Sequence, residues 1–289
     1  MNAIEVKNLK KHFGKVKAVD GISFEVEKGE IFGFLGPNGA GKTTTIRLMM
    51  DFLRPTEGEI KLLGKNAEED SVKLKKHIGY LSPESRLYKG WTGKDHVDFI
   101  KAIKGNSHRA DELAKDLELD LSRKVWQLST GNKQKLSLVL SMMSDPDILI
   151  MDEPTAGLDP ILQERIYQTL DKIRSKGKTV FMSSHNLSEV EKVCSKVAII
   201  KEGKLVATER IADLKRKRMY NLIATFDKEF NTSVFKADGV EIKNEYKNRV
   251  ELVVKEDINP VIKILNQHKL EDLEIRRASL EDIFFEFYK

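Results

Sequence analysis

The stretch GPNGAGKT at 36–43 fits the pattern G-x-x-x-x-G-K-[ST]. Gly36, Gly39 and Gly41 permit a loop whose backbone N–H groups aim inward, and a helix starting there points its positive end at the same spot. Lys42 brings a point charge suited to terminal phosphates, and Thr43 a hydroxyl suited to Mg2+. The chemistry of this group is the holding of a polyphosphate. A second cluster, ILIMDEP at 148–154, is an apolar run ending in two carboxylates. Burying both without a partner is costly, so an ion or a substrate is expected at that strand end. Asp152 suits Mg2+, through water or Thr43, and Glu153 suits orienting and deprotonating an attacking water.

Three further residues fit around a bound nucleotide. Phe13, in KHFGKVKAVD, precedes the phosphate loop at a spacing suited to stacking on a base. Asp159 sits in the short loop TAGLDP after the two acids, and His185 follows an apolar run in MSSHN. Strand ends of an open α/β sheet face the ligand, which separates His185 from a bystander. LSTGN at 128–132 reads first as a helix start, its Ser, Thr and Asn capping the apolar run KLSLVLSMM. The open question is whether that cap also holds a phosphate bound to another copy of the chain.

These residues need a scaffold. Residues 2–35 alternate and turn like strands, KTTTIRLMMDFL reads as a helix, and TEGEIKLLG at 56–64 as a turn and a strand. From about 70 to 145 the pattern is helical, with HVDFIKAIKG and RADELAKDLEL amphipathic. From 147, strands ILIMD, TVFMSS and KVAIIKEGKLVA alternate with helices ILQERIYQTLDKIRSKG and LSEVEKVC. Such alternation predicts a mainly parallel, doubly covered sheet with a helical block inserted between its halves. KRKR at 215–218 opens a different region. There YNLIATF, SVFKA, VEIKNEY, VELVVK and LEIRRA read as strands. NPVIKILNQ reads as a helix capped by Asn259 with Pro260 at N1, and SLEDIFFEFY as a helix capped by Ser279 with Asp282 at N3. The expected organisation is an α/β domain over 1–214, its helical part at about 84–145, and a small α+β domain over 215–289.

A chain of 289 residues can bury a sizeable core in one large and one smaller domain. Lys and Arg total 50 against 45 Asp and Glu, an excess too mild to call for nucleic acid. Residues 215–289 carry 15 basic against 14 acidic side chains, so KRKR reads as a solvated linker. The single cysteine, Cys194, rules out an intrachain disulfide and a multi-cysteine metal site, and it suits a reducing cytoplasm. MNAIEVKNLKKHFG lacks the apolar core of a secretory leader, and no run approaches the ~20 apolar residues that span a bilayer. Any membrane role is therefore expected to come through a partner.

Over residues 2–210 the sequence resembles the nucleotide-binding subunits of ABC transporters. GPNGAGKT matches that family's Walker A loop, ILIMDE its Walker B strand and AGLD its D-loop. LSTGN falls where the family signature belongs, His185 where its switch histidine stands, and Phe13 where its adenine-stacking aromatic stands. The resemblance implies a P-loop NTPase fold, an α/β ABC ATPase core with an antiparallel β subdomain and an inserted helical subdomain, here followed by the small C-terminal α+β appendage. It implies ATP hydrolysis coupled to transport, with ATP and Mg2+ as ligands. ATP would be held by Phe13 and by Gly36, Pro37, Asn38, Gly39, Ala40, Gly41, Lys42, Thr43 and Thr44. The metal would meet Thr43 and Asp152, and Glu153 and His185 would serve catalysis. A second ATP-binding subunit is implied, in a homodimer or heterodimer, with Ser129, Thr130, Gly131 and Asn132 of one protomer closing over the γ-phosphate held by the other. Asp159 would lie in the D-loop beside it. The remaining implied partner is an integral-membrane permease, received near Tyr88 and Trp91, which places the chain at the cytoplasmic face of the cell membrane. No nucleic-acid partner is expected. The alternative is a soluble ABC-type ATPase acting on a ribosome, nucleic acid or protein scaffold; such relatives generally carry two nucleotide-binding units, and this chain has one.

Two places depart from the family pattern. Pro83 is followed by Glu84 where glutamine is usual. A carboxylate can ligate Mg2+ but cannot donate a hydrogen bond as an amide does, so Glu84 carries over as a metal contact. The signature has Thr130 and Asn132 where Gly and Gln are usual, while Ser129 and Gly131 are kept. Thr130 can serve there only if its backbone avoids positive φ. The STG variant and the ending ASLEDIFFEFY resemble a bacterial drug and peptide exporter branch of the family, which makes export the expected direction.

Overall fold

Three apolar runs become strands buried at every position: β3 (Ile31–Leu35), β7 (Ile148–Asp152) and β8 (Thr179–Ser184). Strands covered on both faces carry continuous apolar runs rather than alternation, which is what parallel pairing inside an α/β protein requires. With β6 (Ile78–Leu81), β9 (Lys196–Lys201) and β10 (Lys204–Arg210) they form a six-stranded sheet in the order β10-β9-β3-β8-β7-β6. The parallel register sets Leu35 opposite Ser184 and Asp152 opposite Ser183. The C-terminal ends of β3, β7 and β8 therefore lie side by side. This is a computed structural model describing all residues except 84–85, 106–108, 217–218, 236, 256 and 279–289. The chain divides into two units, Met1–Glu209 and Arg210–Lys289.

A second sheet of the first unit is antiparallel, in the order β2-β1-β4-β5, from β1 (Asn2–Phe13), β2 (Val16–Glu27), β4 (Glu57–Leu62) and β5 (Lys65–Asn66). It meets the parallel sheet through Phe24, whose ring centroid lies 5.6 Å from Phe32, 5.5 Å from Phe34 and 5.9 Å from Phe181. On this side α1 (Lys42–Met49) buries Ile46 and Met49 in the same core. The remaining helices of the α/β core are α2 (Ser71–Lys75), α6 (Pro160–Ser175) and α7 (Leu187–Val193).

The inserted helical part holds α3 (Gly93–Lys104), α4 (Ala110–Asp116) and α5 (Thr130–Met142). A capping box starts α3: Asp95 N–H donates to Thr92 Oγ1 at 3.1 Å, and Thr92 N–H donates to Asp95 Oδ2 at 2.7 Å. The expectation of helix from about 70 onward needs one correction. Ile78–Leu81 is a strand at the edge of the parallel sheet, paired with β7. Four residues are too few to display a period, and only their neighbour in the sheet reveals them.

The second unit starts with α8 (Ile211–Arg216) and forms a four-stranded antiparallel sheet, β12-β13-β11-β14. Its strands are β11 (Met219–Phe226), β12 (Val240–Glu245), β13 (Arg249–Lys255) and β14 (Leu270–Arg277), with α9 (Asn259–Leu265) between the last two. Leu222, Ala224, Phe226, Leu252 and Val254 pack with Val261 and Leu265 of α9. Three expectations change here. SVFKA is no strand: Thr232–Phe235 is a 3-10 turn that drops Phe235 into the core. Lys215 and Arg216 end α8 instead of opening a linker. Asn259 is the first helical residue rather than the cap, and its N–H and Nδ2 donate to Asp257 Oδ1 at 3.0 and 2.7 Å. The helix expected from Ser279 lies outside the described residues. Among the described residues no helix is long and apolar enough to cross a membrane.

Phe181 is fully buried between Phe24, Phe32 and Phe34. Phe181→Ala removes the ring that joins the two sheets and is expected to cost about 3–5 kcal/mol, read as a lower urea midpoint of the first unit.

Candidate functional site

The loop 36–41 leaves β3 and enters α1 at Lys42. It is anchored where Gly36 N–H donates to the Ser184 carbonyl at 3.1 Å. A Cβ on Gly36 would run into the Ile200 carbonyl, and one on Gly41 into the Ala18 carbonyl. Gly41 also stands at φ 110°, a conformation that disfavours any side chain. No side chain caps α1, so the N–H groups of its first turn stay open to the concavity. An open cleft of about 310 Å³ lies here, lined by Asn38, Gly39, Gly41, Lys42, Thr43 and Thr44 of the loop and helix start. Glu153 closes one side of it, and Val16, Lys17, Ala18 and Glu202 complete the rim.

Lys42 is buried, and its Nζ donates to the carbonyls of Gly36 at 2.7 Å and Pro37 at 3.1 Å. It also pairs with Glu153 Oε1 at 3.3 Å, while Glu153 Oε2 lies 3.1 Å from His185 Nδ1. Cation, carboxylate and imidazole thus form one chain across the ends of three strands. Glu153 holds φ at 51°, outside the usual region for a non-glycine residue at the strand exit. Its N–H donates to Ser183 Oγ at 3.0 Å, and that hydroxyl donates to Asp152 Oδ1 at 2.5 Å.

Asp152 is fully buried, and its Oδ2 has no hydrogen-bond partner among the described residues. An orphaned buried carboxylate oxygen is costly unless a cation or its water meets it. Among the described residues no three His, Cys, Asp or Glu gather as a metal site. Mg2+ takes one or two carboxylates and completes its shell with water and substrate phosphate oxygens. The donor set of Asp152 and the Thr43 hydroxyl therefore fits Mg2+ beside a polyphosphate.

Phe13 is half exposed at the end of β1 and pairs across the hairpin with Val16, which lines the cleft. Lys11 Nζ stands 5.1 Å from the Phe13 ring centroid. Asp159 caps α6, its Oδ1 accepting from Leu162 N–H at 2.9 Å. Ser129 caps α5 and accepts from Asn132 N–H at 3.3 Å. Thr130, the first residue of that helix, is not among the positive-φ residues, so the condition set by its side chain is met. Ser129 and Thr130 are exposed, and none of residues 129–132 lines the cleft of its own chain. Gln134 of the same helix donates through Nε2 to the Pro154 carbonyl at 3.2 Å, tying α5 to the loop after Glu153. Glu84 lies outside the described residues. Sequence reasoning missed Val16, Lys17, Ala18, Ser183 and Glu202. Ser183 had a visible signal in the MSSHN run, but its turn toward Asp152 follows only from the register of two parallel strands.

The ABC transporter family model matches residues 19–156. YhcH of Bacillus subtilis (strain 168), an uncharacterized ABC transporter ATP-binding protein, is 35% identical across 98% of this chain and 95% of its own. Nod factor export ATP-binding protein I of Paraburkholderia xenovorans (strain LB400) is 37% identical across 71% of this chain and 70% of its own. The dimeric structure of MJ0796, a bacterial ABC transporter cassette, superposes with a TM-score of 0.67 at 25% identity, covering 72% of this chain and 98% of that one. A phosphate-holding loop at the end of a parallel sheet, facing an acid and an imidazole, defines a P-loop ATPase. The chain belongs to the ABC transporter family as an ATP-binding, ATP-hydrolysing subunit.

Gly41→Ala forces a side chain onto φ 110° and against the Ala18 carbonyl. Affinity for a fluorescent ATP analogue is expected to fall about 10-fold or more, since 1–3 kcal/mol of strain opposes the loop that binds it.

Proposed function

We propose that this chain powers an exporter by binding and hydrolysing ATP between two ATP-binding subunits. The observation that carries the site reading is the chain Lys42–Glu153–His185, with Glu153 3.3 Å from the cation and 3.1 Å from the imidazole. The adenine stacks on Phe13, and the phosphates lie in the loop 36–41 and on the open N-terminus of α1. Lys42 and Thr44 contact the terminal phosphates. Thr43 and Asp152 would hold Mg2+, with Glu84 as a further contact, and the ion when bound would supply positive charge against the phosphates. Glu153 takes a proton from the attacking water as its oxygen bonds to the γ-phosphorus and the bond to ADP breaks. His185 contacts the γ-phosphate and answers to its loss.

Ser129, Thr130, Gly131 and Asn132 close the site from the second subunit. They sit at the N-terminus of a 13-residue helix, with Ser129 and Thr130 exposed, and outside the cleft of their own chain, which supports a role toward another copy. ATP then favours the closed pair, and hydrolysis releases it, a ligand-driven population shift. Asp159 lies in the loop that runs between the two subunits. The cluster of Tyr88, Trp91, His96 and Phe99, with Tyr88 and Phe99 exposed, supports a docking place for a permease at the cytoplasmic face. Export is supported by a relative named for Nod factor export.

Glu153→Gln keeps the size of the side chain but removes the base. Its phosphate release is expected to fall about 100-fold or more while ATP binding and ATP-dependent dimerisation persist; turnover at the wild-type rate would remove Glu153 from that role. Ser129→Trp is expected to leave ATP binding by one protomer intact while abolishing dimerisation and hydrolysis; loss of binding by the isolated protomer would return Ser129 to a purely structural cap. Purification from membranes with a polytopic partner is the expected outcome for the transporter reading, and sedimentation with ribosomes instead would overturn it.

A further inference from the structure

Glu189 is 4% exposed in the first turn of α7 and makes no ion pair among the described residues. Both of its oxygens are nonetheless used. Oε1 accepts from Thr155 Oγ1 at 2.5 Å, and Oε2 accepts from Ser184 Oγ at 2.6 Å. Ser184 immediately precedes His185, and Thr155 stands two residues after Glu153 and four before Asp159. The carboxylate therefore bridges the loop that leaves β7 to the loop that leaves β8. Ser184 Oγ also accepts from Asn186 N–H at 2.9 Å, so the bridge extends to the residue on the far side of His185.

A buried acid is an expensive way to fill this space. Burial pushes the Glu189 carboxyl up, against which the two hydroxyl donors pull. The same burial and the charge of Glu189 push the neighbouring Tyr167 hydroxyl up to about 12. An apolar side chain of similar volume would avoid those costs, but it would take the acceptor from the Thr155 hydroxyl, leave Ser184 Oγ only the Asn186 carbonyl at 3.1 Å, and leave the loops unjoined. Short charge-assisted bonds to two separate loops fix their separation, as a packed apolar contact does not.

We propose that Glu189 is a positioning residue: its carboxylate clamps the loop carrying Glu153 and Asp159 to the loop carrying His185, and so keeps acid and imidazole aimed at one phosphate. The inference rests on the reading of Glu153 and His185 proposed above. It concerns turnover rather than nucleotide affinity, because neither Glu189 nor Thr155 lines the nucleotide cleft.

The test compares Thr155→Val, Glu189→Leu, Glu189→Gln and the double variant Thr155→Val/Glu189→Leu in full-length protein, with steady-state phosphate release and thermal melting. Thr155→Val and Glu189→Leu are expected to lower kcat about 10- to 100-fold while KM for ATP stays within about twofold, as a misplaced reacting geometry does. Glu189→Gln, which can still bond both hydroxyls, is expected to retain most of the rate. The double variant is expected to be no slower than Glu189→Leu, since one clamp is broken only once. Wild-type kcat in both single variants, equal loss in Glu189→Gln and Glu189→Leu, or additive losses in the double variant would each overturn the clamp. If Glu189→Leu fails to fold, Thr155→Val and Glu189→Gln decide alone. Glu153→Gln measured alongside separates the two readings: wild-type turnover there defeats the site assignment, whereas an inactive Glu153→Gln with fully active Thr155→Val and Glu189→Leu defeats only the clamp.

Discussion

Leu35 opposite Ser184, and Asp152 opposite Ser183, are the pairings on which the site depends. Each of the three strands ends at nearly the same level, so the chain leaving each one emerges into the same space. The phosphate loop leaves β3, Glu153 leaves β7 and His185 leaves β8. A slip of one residue in either pairing would turn Asp152 to the other face of the sheet and carry Glu153 away from Lys42. The register is held from within by strands buried at every position and by the ring cluster of Phe24, Phe32, Phe34 and Phe181. Apolar packing thus sets the distances over which the polar groups act.

The polar groups in turn are organised by three hydroxyls. Ser183 joins Asp152 to the backbone of Glu153, and Ser184 and Thr155 share the carboxylate of Glu189. The three hydroxyl-to-carboxylate bonds are short and buried, where a hydrogen bond is stronger and an unmade one costlier. Asp152 is the one acid in this group left with an unpartnered oxygen among the described residues. Electrostatic demand is therefore concentrated at a single point of an otherwise satisfied network, a pattern suited to binding a divalent ion with a phosphate rather than to storing one permanently.

The phosphate loop was legible because its function depends on local backbone: three glycines, one lysine and one hydroxyl at fixed spacing carry their geometry with them. ILIMDEP and MSSHN were legible as strand ends for the same reason. Ser183 and Glu189 were not, because their roles come from which strands are neighbours, and order in the sheet follows β10-β9-β3-β8-β7-β6 rather than the chain. Ile78–Leu81 escaped as a strand since its partner β7 lies about 70 residues onward and nothing local marks a four-residue edge. In the second unit SVFKA has the β-branched and aromatic composition of a strand, but burying Phe235 decided its conformation. Asn259 has the chemistry of a cap, yet the helix already includes it, and its N–H and Nδ2 turn back to Asp257 two residues earlier.

LSTGN shows how one local device can serve two levels of organisation. Ser129 accepts from Asn132 N–H and thereby starts α5, which would be reason enough for its presence. A single cap bond still leaves other N–H groups of the first turn open, and Thr130 keeps ordinary helical backbone instead of the left-handed conformation its branched side chain resists. In the proposed pair the helix start of one subunit would lie over the cleft of the other, the arrangement a site shared between subunits needs. The attraction between the subunits would then be conditional on ATP. Gln134 of that same helix donates to the Pro154 carbonyl next to Glu153, so α5 and the loop that leaves β7 are also tied within the chain.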